Sequence, residues 1–478
     1  MPYKALLKDS LLYIPAKVLP AITVMFFISF LFRNLSSYDY ISYSVIVTTA
    51  LISTQLSTGW IANSILYYLP QKENKSKFLA DALCVMTCAG GIGLIFGSLI
   101  IGIQNNYHLV VIFSSLLIVG QILFYTLSSV YQSNRKIEIQ LKATVIQCVV
   151  QAILLLMLFL NDSKNVQSAL LSFGLGFLFS SIYYLIKLKD IYAIEFRAVG
   201  EGVRNLKSTN IKEIVRYGAP LGVWTCAMLM INSVDRFFLK NIADGVVAAS
   251  YLSSKDLLVG ASGLITMPLL MASHPRILMK VFENKQEDAE KIIRNNIKIL
   301  TILFSIYFTL LQFSGLFFLK LMFGNKYLMN IDVLLIVLFG IYFSCISIYA
   351  QKGLEVGKKT SLMAIMAGFS AMIAVVLNLI LVPRFGILGA AIGFSLSNLF
   401  YLLCILINPN KGLRIIIIPV DLVYPVLIWL VGVSINIVLK GMFHESESYW
   451  VRGIWLALFM SVIGVTAIMY YRKEKTTA

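Results

Sequence analysis

An all-α polytopic membrane protein of about fourteen transmembrane helices is the fold this sequence predicts, on three observations. Apolar residues fall in blocks of about twenty, the length that crosses a hydrocarbon core roughly 30 Å thick at about 1.5 Å per residue. Hydrophobic residues make up 59% of the 478-residue chain and charged residues only 13%, too few charges to cover a water-facing surface. The basic residues crowd into alternate connections between the apolar blocks, as they do when they orient a chain in a membrane.

Taken in order, the spans are expected at 11–32, 41–69, 79–103, 108–131, 141–160, 166–188, 214–239, 246–273, 297–319, 330–351, 360–382, 386–407, 418–439 and 449–471. The first block is too long for a signal-peptide core and no small-residue cleavage site follows it, so it reads as a retained helix. An even number of spans puts both termini on one side. Of the 40 Lys and Arg residues, thirty lie in the termini and in every second connection, nine lie in the alternate connections, and Lys255 lies within a span. The rich set marks the cytoplasmic side, so both termini are expected inside.

The longest hydrophilic connection, 189–213, separates six spans from eight. It reads as a cytoplasmic linker between an N-terminal six-helix lobe (1–188) and a C-terminal one (214–408), with an additional helix pair at 418–471. The segments that enter the two lobes match: Lys8-Asp9 and Tyr13 overlie Lys212-Glu213 and Tyr217, and each is followed by a proline near the helix start, Pro15 and Pro220. The ends of the first helices also match, Arg33-Asn34-Leu35 against Lys240-Asn241-Ile242. Six spans bring the chain back to the side it started from, so the repeats are expected to be parallel, a plan in which transporters hold substrate between halves.

A net charge of +17 raises nucleic acid as a partner, but no basic patch interleaved with aromatics and no fingerprint of a nucleic-acid module is present, so none is expected. All six cysteines (Cys84, Cys88, Cys148, Cys226, Cys345, Cys404) sit in apolar blocks and form neither a disulfide framework nor a metal-ligand set. His108, His274 and His444 are scattered. The connections on the expected outer side are short, which disfavours a membrane glycosyl polymerase or ligase, and no catalytic residue is expected. A scaffold without transport activity would not need Lys255 at depth.

Four stretches carry a family resemblance: Arg33-Asn-Leu-Ser-Ser-Tyr-Asp39-Tyr-Ile-Ser-Tyr43; Tyr217-Gly-Ala-Pro220 followed by Asp235-Arg236-Phe-Phe-Leu; Phe323-Gly-Asn-Lys-Tyr327; and Leu377-Asn378 through Pro383-Arg-Phe-Gly386-Ile-Leu-Gly389. In these the chain resembles the bacterial polysaccharide flippases of the Wzx type, O-antigen and capsule repeat-unit translocases of the multidrug/oligosaccharidyl-lipid/polysaccharide exporter superfamily. The likeness covers the first twelve spans. It implies movement of an undecaprenyl-diphosphate-linked oligosaccharide between leaflets, by alternating access around a cavity between the lobes. It implies membrane lipids, a glycan polymerase and assembly proteins as partners. Two spans beyond twelve resemble lipid II flippases and some polysaccharide exporters. A lipid II flippase and a multidrug or cation antiporter of the same superfamily are therefore the alternatives. An antiporter needs buried carboxylates to bind cations, and Asp256 is the only acid well inside a span.

A diphosphate away from water needs a cation. Lys255 is the first candidate, about 14 Å into its helix at 1.5 Å per residue, against the alternative of a structural pair to another helix. Its neighbour Asp256 points roughly 100° away around the helix and serves a different partner. Lys17 lies about 9 Å into the first span, within snorkelling reach of the interface. Arg33, Asp235 and Arg236 sit near span ends, where an ion pair between lobes or interfacial anchoring competes with substrate contact. Gln55, Asn63, Gln151 and Asn232, with Gln121, Gln147, Asn378 and Asn398, supply uncharged polar groups for sugar hydroxyls or for joining helices. Pro383 to Gly386 is expected to be a turn, and Gly389 with Gly393 a small-residue packing face. No resident cofactor or metal is expected, and Asp256 leaves proton or sodium coupling open.

Overall fold

The computed structural model describes residues 3–192, 209–240, 244–357 and 359–408, apart from Asn106, Arg135 and Asp162, with scattered positions beyond. Side chains are described from Leu19 onward. Twelve long helices result: α1 (Tyr3–Asn34), α2 (Ser37–Gln71), α3 (Lys75–Gln104), α4 (His108–Ser133), α5 (Ile137–Leu160), α6 (Val166–Tyr192), α7 (Thr209–Ser233, with a short continuation Asp235–Leu239), α8 (Gly245–Phe282), α9 (Gln286–Phe323), α10 (Ile331–Ala350, continued Lys352–Val356), α11 (Thr360–Phe385) and α12 (Ile387–Ile407). Ten of the described helices are long and apolar enough to cross a membrane. The other two are α1, whose stretch Leu19–Asn34 is apolar but short, and α8, which carries Lys255 and Asp256. The helices overlie the first twelve expected spans. The pair at 418–471 and the linker core at 193–208 lie outside the described residues.

Local signals explain several of the boundaries. Ser36 caps α2 by accepting from the Asp39 amide, Asn74 caps α3 through Lys77, and Asn330 caps α10 through Asp332. Each supplies an acceptor to a first-turn amide that has no intrahelical partner. Gly324 (φ +80°) and Gly386 (φ +56°) end α9 and α11, in backbone that disfavours residues with a Cβ. The break expected at Pro383 falls at Gly386 instead. Pro383 stays inside the last turn of α11, and the Gly386 amide still donates to Val382 O at 2.8 Å. Gly389 then lies directly on the Leu381 backbone and Gly393 on Asn378, which lets α11 and α12 pack closely.

Two apolar cores form. One joins α2 to α6 around Leu79, Leu117, Leu127 and Tyr184, and the other joins α7 to α12 around Tyr251, Leu300, Leu334 and Tyr401. The second half of α1 (Phe27, Leu31, Phe32) packs with the second core and with Leu155 and Phe159 of α5, so this helix bridges the two. Neighbour relations recur with a shift of six helices: α4 with α6 and α10 with α12, α5 with α6 and α11 with α12, α1 with α5 and α7 with α11. Between halves, α1 packs on α8 and α2 on α7.

Candidate functional site

Four charged side chains meet where the end of α7 crosses α8. Val234 interrupts α7, and the short helix that follows turns Asp235 and Arg236 towards α8. The Lys255 ammonium donates to Asp235 Oδ2 at 2.5 Å, and the Tyr251 hydroxyl, one turn earlier, donates to the same oxygen at 2.9 Å. Both members of this pair are buried, with side chains 1% and 2% exposed. The Phe394 ring of α12 covers the ammonium, its centroid 4.0 Å away. Arg236 forks onto Asp256, Nη2 to Oδ1 and Nη1 to Oδ2, the planar geometry that favours bidentate binding of carboxylate or phosphate.

The Asp-Arg doublet of α7 thus pairs crosswise with the Lys-Asp doublet of α8. The two acids and two bases cancel in formal charge. Removing any one of the four would leave a charge unpaired, which in a low-dielectric interior costs several kcal/mol. The two pairs differ in access. Lys255–Asp235 is sealed, whereas Arg236 and Asp256 are 14% and 20% exposed. Arg236 Nη1 also donates to Ser44 Oγ of α2 at 2.7 Å, so the guanidinium joins the two halves of the molecule. Arg236 Nε and Asp235 Oδ1 find no protein partner.

Of the two readings open for Lys255, the structure has the pair to another helix and not a free cation. Its long side chain folds onto a carboxylate twenty positions back and under an aromatic ring, because burial without a counter-charge would cost more than the pair does. Asp256 serves a different partner from Lys255, as the 100° offset requires. Asp235 and Arg236 pair within the second half of the fold rather than across halves, and only the Arg236–Ser44 bond crosses. Among the described residues Arg33 makes no ion pair; it donates to the backbone carbonyls of Leu321 and Met322. Lys17 lies in the first half of α1, before Leu19, where side chains are outside the described residues.

Among the uncharged candidates, Gln151 is buried and donates to Phe173 O at 3.4 Å, and Gln121 accepts from Thr54 at 3.2 Å. Asn378 and Asn398 donate back to carbonyls of their own helices, Ala374 and Phe394. The two glutamines hold neighbouring helices together, whereas the two asparagines bond within their own. Gln55, Asn63, Gln147 and Asn232 remain half-buried. Gln55 opens a π-helical turn, Gln55–Gly59, in the middle of α2. Beside that turn a cavity of about 340 Å³ opens between α2 and α3, lined by Leu56, Trp60, Ile92 and Phe96 with small groups at Ser57 and Gly93. It is apolar and lies within one half of the fold. Among the described residues no group of three or more His, Cys, Asp or Glu is placed to hold a metal ion.

Sequence reading missed Tyr251, Phe394 and Ser44, none of which carries a motif. It also missed the crosswise pairing. The signal for that was present, an Asp-Arg and a Lys-Asp doublet in inverse order twenty positions apart, flanking a short connection.

Comparison with known proteins places these features. Residues 6–281 match the model of a family described as polysaccharide biosynthesis protein, a stretch that contains all four residues of the charged cluster. No curated protein matches the sequence. Among solved structures, the lipid II flippase MurJ in an inward closed conformation is similar with a TM-score of 0.70 at 15% identity, covering 95% of this chain and 99% of that one. A eukaryotic MATE transporter, AtDTX14, superposes with a TM-score of 0.56 at 14% identity over 88% of this chain and 99% of its own. A MOP-superfamily transporter from Pyrococcus furiosus, described as having a binding pocket of reverse polarity, gives 0.55 at 14% over 90% and 96%. These likenesses establish the fold.

Proposed function

The chain belongs to the polysaccharide biosynthesis protein family, multi-pass transporters of the MOP superfamily, and on that premise we propose that it flips an oligosaccharide linked to undecaprenyl diphosphate across the bacterial cytoplasmic membrane. The observation that carries this reading is the family match over residues 6–281, which spans the whole first half and the charged cluster. The O-antigen or capsule class of glycan belongs to the same proposal, as do a glycan polymerase and assembly proteins as partners.

Two six-helix lobes, 1–188 and 214–408, are the moving parts in this proposal, joined by the linker 189–213 and followed by the pair 418–471. The recurrence of neighbour relations with a shift of six supports a parallel repeat. Basic residues are concentrated in the connections at the end where Lys72 meets Glu213, which supports a cytoplasmic location for that end and for both termini. The opposite end, where Arg33 lies, then faces outward.

Arg236 is the proposed contact for the diphosphate. Its guanidinium is partly accessible, bridges the lobes and already holds a bidentate anion in Asp256. A diphosphate oxygen pair has the same spacing and more charge, so it can exchange with the carboxylate. Asp256, released, then becomes the group that takes a proton or sodium ion. Lys255 and Asp235 position the end of α7 and stay paired throughout. Half-buried Gln55, Asn63 and Asn232 are proposed to meet sugar hydroxyls, with Lys17 and Arg33 nearer the two mouths. An antiporter of cationic drugs fits less well, because Asp235 and Asp256 are each neutralised by a cation.

The test is restoration of surface glycan in a flippase-deficient strain. Arg236→Gln, inserted at normal levels, should lower restored glycan at least about tenfold, the scale of losing a charge-assisted pair. Full restoration by that variant removes Arg236 from the mechanism. Purified protein in liposomes that exports a cationic drug and leaves the lipid-linked glycan in place overturns the function itself.

A further inference from the structure

At the end of the bundle opposite Lys72, the two halves hold each other by a motif that occurs twice. The last carbonyls of a helix have no intrahelical partner, and the negative end of the helix dipole lies there. In α9 these are Leu321 O and Met322 O, just before the positive-φ Gly324. The guanidinium of Arg33, at the end of α1, donates to both, Nη2 to Leu321 O and Nε to Met322 O at 2.6 Å. Ser29, one turn earlier, adds a bond to Met322 O at 2.5 Å. The contact is reciprocal, for Lys326 after α9 donates to Arg33 O at 3.3 Å. Two helix ends from different halves thereby cap one another.

The second copy lies at α7 and α3. Lys240, immediately past the end of α7, donates to Gln104 O, the last residue of α3, at 3.2 Å. Arg33-Asn34-Leu35 and Lys240-Asn241-Ile242 are the stretches that match between the two sequence repeats. Shifting by six helices turns α1 into α7 and α9 into α3. A cation at the end of a lobe's first helix therefore caps the end of the other lobe's third helix, in both directions. At the Lys72 end the described joints are of other kinds: an ion pair, stacked rings, the Ser64 hydroxyl on Ile214 O and the Asn210 amide on Asp81.

We propose that Arg33 and Lys240 are a symmetry-related pair of latches that hold the lobes shut at this end and release when the central site opens towards it. The proposal rests on the two-lobe, alternating-access reading given above, but not on the identity of the cargo. Hydrogen bonds from cations to carbonyls suit such a role. They are directional and lost over an ångström or two of separation, and water can replace them at an open mouth.

A reporter cysteine at the junction below the latches tests this. Ser44 is buried on α2 under Arg236, so Ser44→Cys, in a chain whose six natural cysteines are replaced, should react slowly with a membrane-impermeant maleimide added to intact cells. Arg33→Gln and Lys240→Gln should each speed labelling about tenfold, with the double variant faster than either. Should Arg33→Gln fail to accumulate, Arg33→Lys, which keeps the charge but not the two-carbonyl fork, should give an intermediate rate. Unchanged labelling in the double variant, or in Arg33→Lys when that substitute is needed, overturns the latch. An effect confined to one of the two sites overturns the symmetry. Faster labelling in the latch variants, where the protein with Ser44, Arg33 and Lys240 intact moves no lipid-linked glycan, leaves the latch standing and removes the cargo.

Discussion

The two ends of the bundle are joined by different chemistry. At the Arg33 end, cationic side chains reach across to backbone carbonyls, and just below them two ion pairs lock α7 to α8. At the Lys72 end, the second half of α2 lies on the first half of α7 through close packing: Trp60 against Gly218 and Gly222, Tyr67 stacked on Tyr217 with centroids 4.5 Å apart, and Lys72 on Glu213 at 2.5 Å. The glycine and ring packing has no alternative partner in water, although the Lys72–Glu213 pair has one, whereas each joint at the Arg33 end is polar and can be taken over by water or an anion. The contrast makes the Arg33 end the more easily opened seam, and the buried pair beneath it the piece that has to survive the opening.

That contrast can be broken from either side. The largest effect is expected at the sealed pair. Lys255→Met strands Asp235 in an apolar surround and should cost about 3–5 kcal/mol of stability, while Lys255→Met with Asp235→Leu should recover most of it. Unfolding midpoints in detergent measure both, and a double variant no better than the single would mean that Lys255 does more than neutralise Asp235. A smaller effect is expected at Gly222, where an added Cβ would sit 2.9 Å from the Cβ of Trp60. Gly222→Val should cost about 1–3 kcal/mol by overpacking and leave labelling of the Ser44→Cys reporter unchanged. The smallest belongs to Lys72–Glu213, whose side chains are 25% and 35% exposed. A double-mutant cycle there should return less than about 1 kcal/mol, falling further with added salt. A coupling of several kcal/mol would make that end the charged lock instead.

Legibility differed between backbone and side chains. The helix over 386–407 was visible because its apolar block is bounded by Pro383 and Gly386, and α11 and α12 were expected to touch through Gly389 and Gly393, as they do. Lys255, Asp256, Asp235 and Arg236 stood out in the sequence, which left Lys255 between a cavity cation and a structural pair, and Arg236 between an ion pair across lobes, an interfacial anchor and a substrate contact. Depth along a helix can be counted at 1.5 Å per residue, whereas the direction a side chain faces depends on which neighbour is beside it. Tyr251 and Phe394, which complete the surround of Lys255, come from ordinary-looking positions four residues before it and on a helix 139 residues away.

The sequence by itself determined that this chain lives in a membrane, where its described long helices lie as far as Ile407, and which end of the bundle carries the positive charge. Those properties follow from local quantities, since the length of an apolar run and the charge of a loop act on bilayer and water without reference to the rest of the fold. Only the tertiary structure decided which charges cancel, which one stays partly open, and that two matching helix ends grip carbonyls of the opposite half. Such pairings depend on distances of a few ångströms between residues far apart in the chain, and in a low-dielectric interior those distances decide whether a charge is bearable.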